Sequence, residues 1–154
     1  MSITARQISL IQNSFAKVEP IADQAANIFY NKLFEYDPSL RRMFSGDMDG
    51  QGRKLMAVLK TAVASLNNLD ALVPVLQGLA SKHVEYGVKA EDYTPVGNAL
   101  LFTLKQGLGA EFTPELRSAW VDLYRLVANV MRQHAYPGFN PATFQNAKQY
   151  RKSA

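Results

Sequence analysis

The sequence predicts an all-α fold, and three observations carry that prediction. Apolar residues recur at spacings of three and four along most of the 154 residues. Convincing period-two alternation, the mark of a half-buried strand, does not occur. Helix start signals stand before the periodic runs, and Pro or Gly stands after them.

The elements follow in order. Thr4 and Gln7 form a capping box ahead of Ile8, Ile11, Phe15 and Val18, which share one stripe. Pro20 can open a second helix that carries Ile28, Phe29, Leu33 and Phe34. Asp37 and Pro38 break it, and a short helical turn reaches Met43 and Phe44. The stretch from Ser45 to Gly50 reads as a loop. A third long helix is expected from about Gln51 to Ser65, with Leu55, Val58, Leu59 and Ala62 inward. Asn67 and Asn68 interrupt the pattern before a helix from Leu72 to Tyr86. Tyr93 to Leu108 forms the next. Thr113, Pro114 and Glu115 are an N-cap, a first-position proline and an early acid, opening a last helix through Leu116, Trp120, Leu123, Tyr124, Val127 and Met131. Pro137, Gly138 and Pro141 end it. The organisation expected is one domain over 1–135 with an irregular basic tail over 136–154, without repeats or an interior linker.

Composition removes several function classes. The chain contains no cysteine, which excludes disulfides, thiolate metal sites and cysteine nucleophiles. The opening MSITARQISL lacks the apolar segment of a signal peptide, and no run approaches the ~20 apolar residues of a membrane span. A cytoplasmic protein is expected. The net charge is +4, but Lys148, Arg151 and Lys152 supply three of those charges in a terminal stretch without acids. The body is close to neutral, so neither nucleic acid nor membrane is expected as a partner.

His83 is the residue with the most chemical information. Leu72, Leu76, Leu79 and His83 are spaced four, three and four, so an imidazole ends an apolar stripe one turn before Gly87 can stop the helix. Such an arrangement suits a haem plane, which needs apolar contacts and one neutral nitrogen for the iron. A hydrogen-bonded core histidine is the alternative reading of the same stripe.

Three landmarks then occur in sequence, and together they resemble the globin family across roughly residues 4–135. Asp37-Pro38 followed by Phe44 resembles the globin corner where an aromatic ring stacks on the porphyrin. The long helix opening Gln51-Gly52-Arg53-Lys54-Leu55 is the second landmark. Lys82-His83-Val84-Glu85-Tyr86-Gly87-Val88 resembles the proximal histidine segment of bacterial haemoglobins and neuroglobins. Phe112-Thr113-Pro114 and Trp120 are similar to the opening of their final helix. The resemblance implies a globin fold of seven to eight helices around one haem b (iron protoporphyrin IX), with His83 as the metal ligand. It also implies haem contacts from Phe44, Leu79, Val88, Tyr93 and Val96, and propionate partners in Lys54 and Lys82.

The distal set resembles that of bacterial single-domain haemoglobins and flavohaemoglobins. Tyr30 falls where those proteins aim a tyrosine at the ligand. Gln51 stands where a distal histidine is usual, and Leu55 follows on the same face. Closure of both iron positions by histidine, as in neuroglobins, is therefore not expected. On the proximal side Tyr93 lies ten residues after His83, as in bacterial haemoglobins. Their last-helix glutamate, however, corresponds to Ala135 here, preceded by His134. Loss of that carboxylate should weaken the electron push toward iron.

These residues imply a chemistry. A dioxygen ligand with partial negative charge would accept hydrogen bonds from the Tyr30 hydroxyl and the Gln51 amide. Two such donors add about 2–4 kcal/mol, on the order of 30- to 1000-fold, mostly as slower release. The expected ligands are dioxygen, carbon monoxide and nitric oxide. Reversible oxygen binding with high affinity is one function that fits. A nitric oxide dioxygenase served by a separate reductase is another, since the sequence carries no flavin or nicotinamide domain. A haem-free helical interaction module is the third reading.

Overall fold

The computed structural model describes residues 3–44 and 46–145. Lys148, Arg151 and Lys152, on which the basic tail rests, lie outside the described residues. Among those described there are six α-helices: α1 (Ala5–Val18), α2 (Ala22–Tyr36), α3 (Met48–Ala64), α4 (Leu69–Glu85), α5 (Tyr93–Leu108) and α6 (Pro114–Ala135). The expected seven to eight becomes six because the connecting turns wind as 3-10 helix. These are Glu19–Ile21, Pro38–Met43, Ala90–Asp92 and Gly109–Glu111, each too short or too proline-bound to hold α geometry.

The predicted caps form. Thr4 Oγ1 accepts from the Gln7 amide at 3.1 Å, and Gln7 Oε1 accepts from the Thr4 amide at 2.9 Å. Thr113 Oγ1 accepts from the Leu116 amide at 3.2 Å. One boundary is corrected: α3 starts at Met48 and not near Gln51. Asp47 caps it, accepting from the Asp49 amide at 3.0 Å, which carries the helix through Gly50 and Gly52 despite their low propensity. Likewise α4 starts at Leu69 and runs through Pro74. That proline removes the bond its nitrogen would give to the Asp70 carbonyl and loosens the first turns.

Packing places α2 across α5 and α4 along α6, with α1 bridging α3 and α6. The α2–α3 crossing is close because Gly52 has no side chain. A Cβ there would lie 2.9 Å from that of Ala26. Trp120 is buried at the centre, and its indole nitrogen donates to Ser14 Oγ at 3.0 Å, tying α6 to α1. The buried side chains form two clusters, one around α1, α2, α5 and Trp120, and one around Leu72, Leu76, Tyr93 and Met131. Between them the two faces do not close.

Candidate functional site

The gap between the two clusters is a cavity of about 1140 Å³ free of protein atoms, counting its open mouth. Its wall is almost wholly apolar. Phe44 follows the 3-10 turn on one side, Leu55 and Leu59 come from α3, and Leu76 and Leu79 come from α4. Val96, Leu100 and Leu123 complete it from α5 and α6.

Into this wall α4 places one imidazole. Leu76, Leu79 and His83 all line the cavity, as their spacing on one helical face requires. Burial pushes the His83 ring below its ordinary pKa, opposed by the Leu79 carbonyl one turn back. The ring is therefore neutral at neutral pH, which is the protonation state of a metal ligand. His83 Nδ1 is buried without a hydrogen-bond partner of good geometry. A buried polar atom without a partner is costly, and Leu79's carbonyl is the acceptor nearest in the chain.

The other predicted residues divide into two groups. Phe44, Leu55, Leu79, Val88, Tyr93 and Val96 line the same cavity as His83. Tyr30, Gln51, Lys54 and Lys82 are not on its wall. Tyr30 is buried among rings, its centroid 5.0 Å from Phe29, 6.0 Å from Phe34 and 5.4 Å from Phe44. Its hydroxyl donates to the main-chain carbonyl of Gln51 at 3.4 Å, a long bond. Burial pushes its pKa up to about 12, so it remains a donor across the physiological range. Phe29 and Leu33, either side of Tyr30 in α2, face the cavity instead. Lys54 and Lys82 are exposed.

Sequence reading missed a set of contacts from α6. Tyr124 donates to the Tyr93 carbonyl at 2.5 Å, and Tyr136 donates to the Val88 carbonyl. Arg132 Nε donates to the Ala90 carbonyl at 2.9 Å and its Nη2 to Thr94 Oγ1 at 3.3 Å. The guanidinium also stands 5.2 Å from the Tyr93 ring and 4.8 Å from that of Phe144. One helix and the residue that follows it thus hold the connector after His83. Tyr124 and Arg132 belong to α6, while Tyr136 follows its last residue in extended backbone, so helical spacing alone does not bring the three together. Tyr93 keeps a buried hydroxyl without a partner, and its ring lies 6.2 Å from His83. Ala135, at the position of the bacterial last-helix glutamate, packs against the second cluster. His134 is exposed and its Nε2 is 3.2 Å from Ser81 Oγ.

Comparison with known proteins agrees with this architecture. The family model described as Globin matches residues 27–131. A neuroglobin of Danio rerio is 33% identical over 118 residues, covering 68% of this chain and 74% of that protein. A flavohaemoprotein of Chromobacterium violaceum is 33% identical over 106 residues, 67% of this chain. The chain spans only 26% of that flavohaemoprotein's length. Among solved structures, an engineered carbene transferase from Rhodothermus marinus superposes with a TM-score of 0.78. That match is 24% identical and covers 87% of this chain and 94% of the other. With five of its six helices lining a central apolar cavity, a single imidazole on that wall and a matched family model across most of the core, this chain belongs to the globin family, whose members bind haem.

Proposed function

We propose that the cavity holds haem b and that the protein binds dioxygen reversibly, with tight binding governed by slow release. The single observation that supports the reading is His83, a neutral imidazole with a buried, partnerless Nδ1, on an otherwise apolar wall. His83 would hold the group by giving its iron one neutral nitrogen, and the apolar wall would take the ring. When bound, the iron supplies the reversible gas-binding chemistry.

The chain's own residues do the rest. Leu79, Val88 and Val96 line the cavity and would pack against the bound group and exclude water from it. The Tyr30 hydroxyl, held only by a long bond to Gln51's carbonyl, would have to leave that bond and shift within its ring cluster to reach a polar ligand in the cavity. The Gln51 amide is the second donor. Together they favour a ligand that carries charge over one that does not. Lys54 and Lys82 are the cations available to the propionates.

The test is oxygen dissociation from the haem-loaded protein. Tyr30→Phe should speed oxygen release by at least about tenfold, the loss of a bond of ~1.4 kcal/mol or more. Carbon monoxide release should change much less, because that ligand carries less charge. Equal changes for both gases would point to altered access, and no change would remove Tyr30 from the site.

The likeness to flavohaemoproteins favours a second reading, a nitric oxide dioxygenase with a separate reductase. Turnover of nitric oxide to nitrate in the presence of a reductase and reduced nicotinamide separates it from a binding protein.

A further inference from the structure

The chain beyond α6 folds back on the helix end. Gly138 stands at a φ of 84°, a left-handed turn that a side chain would strain. After the turn Phe139 and Phe144 lie with their ring centroids 5.1 Å apart. The Asn140 carbonyl closes the loop between them, accepting from the Thr143 and Phe144 amides at 3.1 and 2.9 Å. Both rings are half-buried. They rest on the Arg132 guanidinium, whose carbon is 5.5 Å from the Phe139 centroid and 4.8 Å from that of Phe144.

The same guanidinium meets the cavity wall, since Tyr93, whose ring centroid is 5.2 Å away, lines the central cavity. Its two hydrogen bonds join separate elements. Ala90, whose carbonyl accepts at 2.9 Å, opens a 3-10 turn, and Thr94, whose hydroxyl accepts at 3.3 Å, lies in the first turn of α5. Val88 belongs to the same connector and the same wall, and its amide donates to the His83 carbonyl at 3.0 Å. A displaced connector therefore pulls on the end of α4. One planar cation gathers the returning segment, the connector and a ring of the wall.

We infer that Arg132 is a positioning residue for the His83 side of the cavity, and that the Phe139–Phe144 segment is the strap that holds its guanidinium in place. The inference rests on the haem-binding reading only for what His83 holds. A loose arginine side chain populates many rotamers, and ring faces on it select the one that reaches Ala90 and Thr94. Without the strap rings the guanidinium turns toward water, the Ala90 carbonyl loses that donor, and the wall made by Val88 and Tyr93 loosens. Lysine would supply the charge but not the planar fork that bonds both elements at once.

Amide hydrogen exchange on the full chain, as purified, reads the connector directly. Its reporters are the Val88 and Asp92 amides, bonded to the His83 and Lys89 carbonyls. Arg132→Lys removes the fork, Phe144→Ala removes one strap ring, and Phe144→Tyr keeps the ring face. The first two should speed exchange at both reporters about tenfold or more, the loss of one bond from a charged donor. Amides around the buried Phe15 of α1 should keep wild-type rates, and Phe144→Tyr should match wild type throughout. In the ferrous haem-loaded protein, the iron–histidine stretching band of Arg132→Lys and Phe144→Ala should shift and broaden in resonance Raman spectra. Lost stability alone does not move that band. Faster exchange spread evenly over the chain, Phe15 included, would overturn the assignment as general destabilisation. Wild-type exchange in Phe144→Ala would overturn the strap, and an unchanged band beside faster exchange would overturn the reach to His83. Failure of the wild type to take up haem, with the local exchange effects intact, would refute the haem reading and leave Arg132's hold on the connector standing.

Discussion

Tyr124 lies against the backbone of Gly97, so close that a methyl group on residue 97 would stand 2.6 Å from the ring's Cε2. This contact lets α5 and α6 approach and lets Tyr124 do two things at once. Its ring lines the central cavity, and its hydroxyl holds the Tyr93 carbonyl at the start of α5. Gly97 therefore serves the site without reaching it.

Gly97→Ala should push Tyr124 off that bond. The helix gains ~1 kcal/mol of propensity, but forcing an atom into a packed contact costs typically 1–3 kcal/mol, and the freed buried hydroxyl adds to the loss. A net loss of about 1–2 kcal/mol is expected in urea unfolding. If Gly97→Ala were as stable as wild type, Tyr124 would have to move at no cost, and the contact would not constrain it.

Much of this arrangement was legible in the chain. The stripe ending in His83 needed only helical period, because Leu76, Leu79 and His83 are neighbours along one element. The caps at Thr4 and Thr113 were legible for the same local reason. The α6 clamp was not, since Tyr136 and Val88 are 48 residues apart and no periodicity in either segment records their meeting. Asp47's cap was hidden by Gly46 and Gly50, whose propensity argued for a loop. Tyr30 and Gln51 were legible only by resemblance. The structure gives them a bond to each other rather than a place on the cavity wall.

Phe44 and Leu55 both face the cavity, and Phe44 also packs at 5.4 Å against the Phe34 ring. Truncation of either to Ala should cost roughly 2–5 kcal/mol by removing contacts around a space that cannot collapse. Haem transfer to an excess of a scavenging apoglobin should accelerate in parallel. Wild-type stability together with wild-type haem retention would mean that these side chains do not wall the site.

His83→Ala should take up haem weakly and without the native Soret band. Added imidazole should restore part of that spectrum, because the cavity then offers the volume of the lost ring and an apolar wall of unchanged shape. An unchanged band and affinity without imidazole would remove His83 as the ligand. His83→Phe separates shape from ligation, since it keeps the ring's bulk and supplies no nitrogen. That variant should fail to respond to imidazole.

Alkaline pH should reveal how much of the fold depends on neutral tyrosines. Burial raises the pKa of Tyr30 to about 12, and it also raises those of Tyr93 and Tyr124. Below the ordinary tyrosine value near 10, folded and unfolded chains hold the same phenolic protons and stability is unaffected. Above it the unfolded chain ionises first, so the folded state binds more protons and loses relative stability as pH climbs toward the folded values. Each tyrosine contributes a slope of up to ~1.4 kcal/mol per pH unit. Urea midpoints should therefore be flat in this respect up to pH 10 and fall steeply to pH 11.5, with the share of phenolate absorbance near 295 nm that belongs to these three buried tyrosines rising only as the protein unfolds. Tyr30→Phe should shallow that fall, because the ring stays packed among Phe29, Phe34 and Phe44 while the ionisable hydroxyl is gone. Phenolate absorbance that develops fully near pH 10, with no change in the urea midpoint, would show these hydroxyls to be open to water.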